Sequence, residues 1–125
     1  MPELPEVETT RRGISPHIVG QRVVRVDIHE TRLRWPVPTD MASLLTGQRI
    51  DTIERRAKYL LLNTNTGSAI IHLGMSGRLV VTDPAHRRRK HDHVDIVFDN
   101  DLALRFHDPR RFGCLLWAED PHAHA

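Results

Sequence analysis

The sequence contains little of what would place it in several large classes of protein. It has one cysteine, Cys114, so it forms no internal disulfide, and a reducing cytoplasm is the expected compartment. Nowhere does it approach the roughly 18 consecutive apolar residues of a membrane span. Its first residues lack the basic and then apolar segments of a signal peptide. The remaining class is a single globular domain, since 125 residues suffice for one hydrophobic core.

Lysine is also scarce. Lys58 and Lys90 are the only lysines among 18 basic residues, so the other 16 are arginines. Guanidinium groups suit phosphates better than ammonium groups do, because their donors form a planar fork. The net charge is only +2, however. The composition therefore fits a phosphate-bearing partner and an ordinary solvated surface equally well.

Short runs of β-forming composition follow one another through most of the chain. In the first run, Val24, Val26 and Ile28 alternate with polar residues, which predicts a strand with these three on one face. NTNTG (63–67) and residues 99–101 are typical of hairpin turns. The predicted strands are VVRVDIHE, RIDTIERRA, YLLLN, SAIIHL, RLVVT, HVDIVF, LALRFH and GCLLWAE.

Two helices complete the predicted fold. After Pro5, Val7 and Arg11 lie at helical spacing, and we expect Gly13 to end or interrupt this helix. MASLLTG (41–47) predicts a short second helix. Together these elements predict an α+β domain, a mostly antiparallel β-sandwich of about eight short strands with two flanking helices.

The extreme N-terminus carries a candidate nucleophile. Removal of Met1 would leave Pro2 with a free secondary amine, and α-amines titrate near pH 7.7–8.0, so a useful fraction is neutral at physiological pH. Attack of this amine on a sugar aldehyde carbon gives an iminium, which acts as an electron sink. Glu3 stands next to it as a candidate proton donor and acceptor. The alternative is that Met-Pro-Glu is an ordinary start of a protein.

Two glycine-flanked loops display apolar side chains beside polar ones. HLGMSG carries Met75 just after His72, and DPRRFG carries Phe112 just after Arg110 and Arg111. Such side chains are suited to insertion into an unstacked duplex. Each loop taken alone is also compatible with a packed hairpin corner.

Five motifs, PELPEVET, RRAKYLLL, IIHLGMSG, KHDHVD and DPRRFG, occur in this order over nearly the whole chain. Together they resemble the N-terminal domain of bacterial formamidopyrimidine-DNA glycosylase. Leu4 and Met75 resemble this enzyme more than its relative endonuclease VIII. The resemblance implies that residues 1–125 are an N-terminal catalytic domain, and that the C-terminal domain with its helix–two-turn–helix and zinc finger is absent.

The resemblance also implies an activity. The family excises oxidised purines, such as 8-oxoguanine and formamidopyrimidines, from double-stranded DNA and cleaves abasic sites as a lyase. We therefore expect a monomeric, cytoplasmic DNA-repair domain that is weak or inactive alone, with damaged duplex DNA as its partner. No cofactor is expected in this chain, because the family's zinc is bound by the absent finger.

Roles for individual residues follow from the same resemblance. Pro2 would form the Schiff base, Glu3 would move protons in base release and ring opening, and Lys58 would hold a phosphate and donate a proton in β-elimination. The expected DNA-binding residues are His72, His91, Arg110 and Arg111. The expected wedge residues are Met75, Arg110 and Phe112. Glu6 is expected at the lesion pocket.

Two other hypotheses stay open. His86, His91 and His93 lie close in sequence and suggest a metal site, although no cysteine or carboxylate stands at a familiar spacing, so we expect no metal. The arginines 87–89 lie in a basic loop (residues 83–91) that is either solvated or attracted to phosphate. As a whole, the chain would alternatively be a non-catalytic DNA-binding or structural module with the same fold.

Overall fold

The computed structural model describes residues 4–119 and confirms the predicted α+β sandwich. It contains two helices and eight strands, all paired antiparallel. The elements are α1 (Leu4–Ile18), β1 (Val23–Ile28), α2 (Met41–Leu45), β2 (Thr52–Arg56), β3 (Tyr59–Asn63), β4 (Gly67–His72), β5 (Arg78–Thr82), β6 (Asp92–Phe98), β7 (Ala103–His107) and β8 (Cys114–Glu119). Neither described helix is long and apolar enough to span a bilayer.

The strands form two sheets of four. One sheet has the order β1-β6-β7-β5 and the other β2-β3-β4-β8. In one sheet every residue of β6 is buried. In the other sheet alternate residues of the two central strands are buried: Leu60 and Leu62 are fully buried on β3, and Ile71 is buried on β4. This two-residue period is what a strand with one core-facing side requires. The hydrophobic core therefore lies between the sheets.

The predicted hairpin turns are both present. Between β3 and β4, Thr64 closes the turn by donating its N–H and hydroxyl to the carbonyl of Gly67, at 2.8 and 2.7 Å. Between β6 and β7, Phe98 donates to the carbonyl of Leu102, and Asp101 has a positive φ of 65°. A small polar residue tolerates this left-handed conformation.

The predicted alternation in β1 is wrong at Val24. Val23 pairs with Phe98 and Arg25 with Val97, so Val24 is an extra residue opposite the junction of two consecutive partners. This is a β-bulge, which interrupts the two-residue period. Val23 is consequently buried and Val24 is 47% exposed, whereas Val26 and Ile28 pack against the core as predicted.

The expectation that Gly13 ends or interrupts the first helix is also wrong. Helix α1 continues through Gly13 and Pro16 to Ile18. Ile14 and Ile18 lie beyond the glycine and are 4% and 0% exposed. Burial of such a side chain contributes about 1.5–3 kcal/mol, more than the cost of about 1 kcal/mol for a glycine inside a helix. Tertiary packing therefore overrides local propensity.

The strand register brings several loops to one end of the sandwich. In one sheet Tyr59 pairs with His72 and His72 with Cys114; in the other, His107 pairs with both Arg78 and Asp92. The connections β2–β3, β4–β5 and β7–β8 and the start of β6 therefore share this end, which we call the functional end.

Candidate functional site

The loops that carry Met75 and Phe112 are in direct backbone contact. A Cβ added to Gly74 would lie 2.6 Å from the nitrogen of Gly113, and one added to Gly113 would lie 2.5 Å from the carbonyl oxygen of His72. Gly74 also has a φ of +63°, which favours glycine. Met75 is 50% exposed and Phe112 43% exposed. The structure therefore brings Met75 and Phe112, two of the three predicted wedge residues, to neighbouring loops and presents both to solvent.

Buried Asp108 joins these two loops. Its Oδ1 accepts a hydrogen bond from the Ser76 hydroxyl at 2.9 Å, and its Oδ2 accepts one from the Gly113 N–H at 2.8 Å. The Ser76 hydroxyl in turn accepts from the Arg110 N–H at 3.3 Å. The sequence analysis missed this function of Asp108, because Ser76 lies 32 residues away along the chain.

The arginines of the same turn remain at the surface. The Arg110 guanidinium lies 5.3 Å from the centre of the Phe112 ring, a cation–π contact. Arg111 has a φ of 56° and its Nη1 lies 3.6 Å from Glu30. Arg110, Arg111 and Phe112 are all exposed. The turn thus presents two cations together with an aromatic ring.

His91 lies beside this turn. Its carbonyl accepts the Asp108 N–H at 3.0 Å, and the carbonyl of Asp108 lies 2.7 Å from Nε2 of His93. Burial lowers the pKa of His91, and the charges of Lys90 and other neighbouring basic side chains lower it further. The neutral form of the His91 ring is therefore favoured, and this form acts as a hydrogen-bonding group rather than as a cation.

Lys58 and His72 meet at the adjacent strand ends. Lys58 lies in the β2–β3 turn, and Tyr59 after it contacts the His72 ring edge-to-face with centroids 4.8 Å apart. Nδ1 of His72 accepts the Gly74 N–H at 3.0 Å, which requires an unprotonated Nδ1. Burial lowers the pKa of His72, with smaller contributions from Arg34 and Lys58. A neutral His72 thereby holds the start of the Met75 loop.

Arg34 is a residue of this end that the sequence analysis missed. Its N–H donates to the carbonyl of Gly113 at 3.1 Å, and its charge lowers the pKa of His72. Arg34 comes from the β1–α2 connection, far from the other loops in sequence. No local pattern distinguished it from the other exposed arginines.

The first half of helix α1 is connected to the turn that carries Lys58. Oε1 of Glu8 lies 3.3 Å from Nε of Arg55, and Nη1 of Arg55 donates to the carbonyl of Ala57 at 3.2 Å. Hydrogen bonds from Arg11 above all, and from Arg12 and Arg55, lower the pKa of Glu8 to about 2. The start of α1 is therefore held near Lys58.

Three predicted site residues lie at or before the start of α1. Pro2 and Glu3 fall outside the described residues, and α1 begins at the next residue, Leu4. Glu6 is exposed in the first turn of the helix. The predictions for Pro2 and Glu3 therefore stay predictions.

The histidines considered as metal ligands have other contacts. His93 is buried, with its Nε2 next to the Asp108 carbonyl, while His86 is exposed. Across residues 4–119, no three His, Cys, Asp or Glu side chains are grouped so that they could hold a metal ion.

The functional end combines cations with two exposed apolar side chains. Arg34, Lys58, Arg110 and Arg111 supply the charges, and the loops that display the apolar side chains are fixed by buried contacts. Cationic side chains arranged around projecting apolar groups are typical of domains that bind and distort nucleic acids. Fold and site thus define the class as an antiparallel β-sandwich domain with cationic and apolar side chains grouped at one end.

Comparisons with known proteins identify the family within this class. Residues 1–115 match the model of the formamidopyrimidine-DNA glycosylase N-terminal domain. The formamidopyrimidine-DNA glycosylase of Methylococcus capsulatus is 62% identical over 125 residues, and that of Stutzerimonas stutzeri 60% over 124; each alignment covers 99% of this chain and 46% of the relative. The chain therefore belongs to the formamidopyrimidine-DNA glycosylase N-terminal domain family, and it spans about half the length of the curated relatives it matches.

Solved structures agree with this assignment. The Lactococcus lactis formamidopyrimidine-DNA glycosylase bound non-covalently to DNA with an abasic site matches with a TM-score of 0.87 and 34% identity, over 94% of this chain and 45% of that one. A complex of the Lactococcus lactis enzyme with DNA containing a formamidopyrimidine-dG matches with a TM-score of 0.88 and 34% identity, over 98% and 46%.

Proposed function

We propose that this chain supplies the catalytic domain of a bacterial base-excision repair enzyme. The enzyme removes oxidised purines, 8-oxoguanine and formamidopyrimidines, from double-stranded DNA and cleaves the resulting abasic site. The observation that carries the proposal is the functional end, where Met75 and Phe112 project beside Lys58 and Arg110 in a member of this family. The site of action is the bacterial cytoplasm, and the domain acts as a monomer.

The proposed chemistry begins at the amine of Pro2. Its lone pair forms a bond to the anomeric carbon of the damaged nucleoside, the bond to the base breaks, and the base leaves with the electron pair and a proton. Ring opening gives an iminium cation, with Glu3 moving the protons. Loss of a proton from the adjacent sugar carbon then expels the 3′ phosphate, and hydrolysis of the iminium returns the free amine. Groups of the chain and water suffice for this sequence, and any zinc belongs to a C-terminal finger.

The other residues of the functional end act on the duplex. Lys58 binds a phosphate next to the lesion and donates a proton during strand cleavage. Met75, Arg110 and Phe112 occupy the space that the damaged base leaves, while His72, His91 and Arg111 bind the backbone and Glu6 lines the lesion pocket. Extrusion of a base costs a few kcal/mol, least for a pair already weakened by damage. Contacts made by the inserted side chains offset part of this cost.

Borohydride trapping tests the proposal. The chain is fused to the C-terminal part of its Methylococcus capsulatus relative, and intact mass confirms that Met1 is removed. We expect borohydride to link this protein covalently to a duplex with an abasic site, and Pro2→Gly to reduce the trapped fraction severely, because glycine supplies a primary amine of different basicity and geometry. Pro5→Gly is the matched control, since it changes a proline without touching the terminal amine.

Two outcomes would contradict the proposal. If Pro2→Gly trapped DNA as well as the wild type, Pro2 would not be the nucleophile. If the wild type bound the duplex without any trapping, the chain would be a non-catalytic DNA-binding module. The 125-residue chain alone is expected to trap weakly or not at all, because it makes fewer phosphate contacts than the fusion.

A further inference from the structure

Apart from His91 at its end, the basic loop has no role in the function proposed above. It carries four consecutive cations, Arg87, Arg88, Arg89 and Lys90, directly before His91. The loop leaves β5 at Thr82, which pairs with Ala103 at the far end of the sheet, and enters β6 at Asp92, at the functional end. It therefore runs along the length of the sandwich. With the outer faces of β5 and β7 it encloses an open cavity of about 760 Å³.

The backbone of the basic loop is anchored by buried charged groups. Arg105 is 5% exposed and forms two hydrogen bonds with Asp95, at 2.8 and 3.0 Å, while its Nη2 also donates to the carbonyl of His86 at 3.1 Å. Asp92 is 1% exposed, and its Oδ2 accepts the Arg89 N–H at 2.6 Å. The buried Arg105 guanidinium and the buried Asp92 carboxylate thus hold the loop from beneath, while the cationic side chains remain exposed.

In the described part of the chain, three of these four cations lack the carboxylate partners that several other surface arginines have, whereas Nε of Arg89 lies 3.9 Å from Oδ2 of Asp92. Arg12 and Arg25 each form an ion pair with a carboxylate, at 2.9 and 3.0 Å. Within residues 4–119, by contrast, no carboxylate oxygen lies within 4.0 Å of a side-chain nitrogen of Arg87, Arg88 or Lys90, although the Arg88 side chain donates to the carbonyl of Asp92. Four neighbouring positive charges in a concave surface repel one another and attract a polyanion.

The basic loop is continuous with the functional end. Arg88 and Lys90 line the cavity on the sheet face, and they also line a second depression with His91, Pro109 and Arg111. A phosphate backbone that contacts Arg111 and His91 would therefore meet the basic loop next. This path favours a duplex that extends from the lesion along the side of the sandwich.

We propose that the basic loop binds phosphates of the DNA duplex outside the damaged position and so lengthens the footprint of the domain on one side of the lesion. The inference rests on the proposed function for the direction of the duplex. It adds a surface that the wedge residues and Lys58 do not require for chemistry.

Salt dependence of binding tests this inference with the 125-residue chain. Fluorescence anisotropy measures the affinity for an undamaged duplex over a range of low salt concentrations. Each lost phosphate contact reduces the slope of log K against log salt by about 0.9, so R87Q/R88Q/R89Q is expected to reduce it by about 2–3. R87Q alone is expected to reduce it by about 0.9. The Arg87 side chain makes none of the hydrogen bonds that anchor the loop, so this variant keeps the fold.

The matched control removes the same charge at the other end of the molecule. Arg22 and Arg25 lie on either side of Val23 and Val24. Val23 pairs with Phe98 at the end of β6 opposite Asp92 and the cationic residues 87–90, and Arg49 forms a β-bridge with Arg22. R22Q/R25Q/R49Q should leave the slope unchanged. Equal reductions of the slope in both triple variants would overturn the proposal, because net charge alone would then explain binding. No reduction in either variant would also overturn it, because the basic loop would then make no phosphate contact.

Two further binding experiments vary the length of the duplex and replace DNA with a different polyanion. Shortening the duplex on the side of the lesion that contacts the basic loop should lower the affinity of the wild type to that of R87Q/R88Q/R89Q. Shortening the duplex on the other side should lower the affinities of the two proteins equally. Anionic lipid vesicles that bind only the wild type, with DNA binding unaffected, would assign the loop to a membrane surface and overturn the proposal. If the fusion protein failed to trap DNA but the loop variants lost slope as expected, only the catalytic function would be rejected. If the fusion protein trapped DNA but the loop variants lost no slope, only the phosphate-binding role of the loop would be rejected.

Discussion

At the scale of single residues, Asp108 determines how the two loops that carry Met75 and Phe112 meet. Its two carboxylate oxygens accept hydrogen bonds from Ser76 and Gly113, which belong to different loops, and the side chain is fully buried. Removing such a buried acceptor reduces the free energy of unfolding, because the donor that loses its partner is also shielded from water.

Asp108→Asn is therefore expected to destabilise the chain. The amide keeps one acceptor oxygen but turns a donor towards the Ser76 hydroxyl or the Gly113 N–H, so we expect a loss of about 1–3 kcal/mol in the free energy of unfolding. Urea unfolding measures the loss. Asp101→Asn is the control, since Asp101 is exposed and its positive φ suits asparagine. Equal stability of the two variants would contradict the role of Asp108.

At the scale of elements, the contact between the β4–β5 and β7–β8 loops depends on Gly74. We expect Gly74→Ala to destabilise by about 1–2 kcal/mol from its left-handed φ alone. It should also weaken binding of an abasic-site duplex, since a Cβ 2.6 Å from the Gly113 nitrogen must separate the loops. Thermal unfolding and anisotropy measure the two effects.

Gly13→Ala is the matched control for this substitution. Nothing lies within 4 Å of the Cβ position at Gly13, which is inside helix α1. We expect it to stabilise by about 0.5–1 kcal/mol and to leave DNA binding unchanged. If Gly74→Ala and Gly13→Ala changed stability in the same direction, the explanation given for Gly74 would be wrong.

The elements also show how far the sequence predicts this structure. Short runs of β-forming residues and the turn residues between them predict all eight strands, including β6, which is buried at every position. The bulge at Val24 is not predictable, since it depends on pairing with β6, more than 70 residues further along the chain. The function of Asp108 escapes for the same reason, because Ser76 lies 32 residues away. Local patterns specify elements, whereas contacts between distant residues complete the site.

At the scale of the whole molecule, helix α1 connects both sheets. It contacts β2 and β3 of one sheet and β5 of the other. Its Glu8 carboxylate binds Arg11 and Arg12 on the helix and Arg55 on β2. The helix that follows Pro2 and Glu3 is therefore fixed to the sandwich as a whole.

Glu8→Gln is expected to change the acid stability of the chain. The folded pKa of Glu8, about 2, lies below its ordinary value of 4.5, so its contribution to stability is fully present above pH 4.5 and is lost as the pH falls through about 2. The variant should be less stable than wild type at neutral pH, with a difference that shrinks between these two values. Urea unfolding at a series of pH values measures this. Glu54→Gln, which removes an exposed carboxylate of an ion pair on β2, is the control for the loss of a surface charge.

The β4–β5 and β7–β8 connections both pass from one sheet to the other at the functional end. A side chain that separates stacked bases experiences an equal and opposite force from the duplex. Because each of these loops is attached to both sheets, that force is shared by the entire interior of the sandwich instead of bending a single hairpin. Under the proposed function, the rigidity available for opening DNA is a property of the hydrophobic core, and loosening that core far from the nucleic acid should weaken the proposed insertion of Met75 and Phe112.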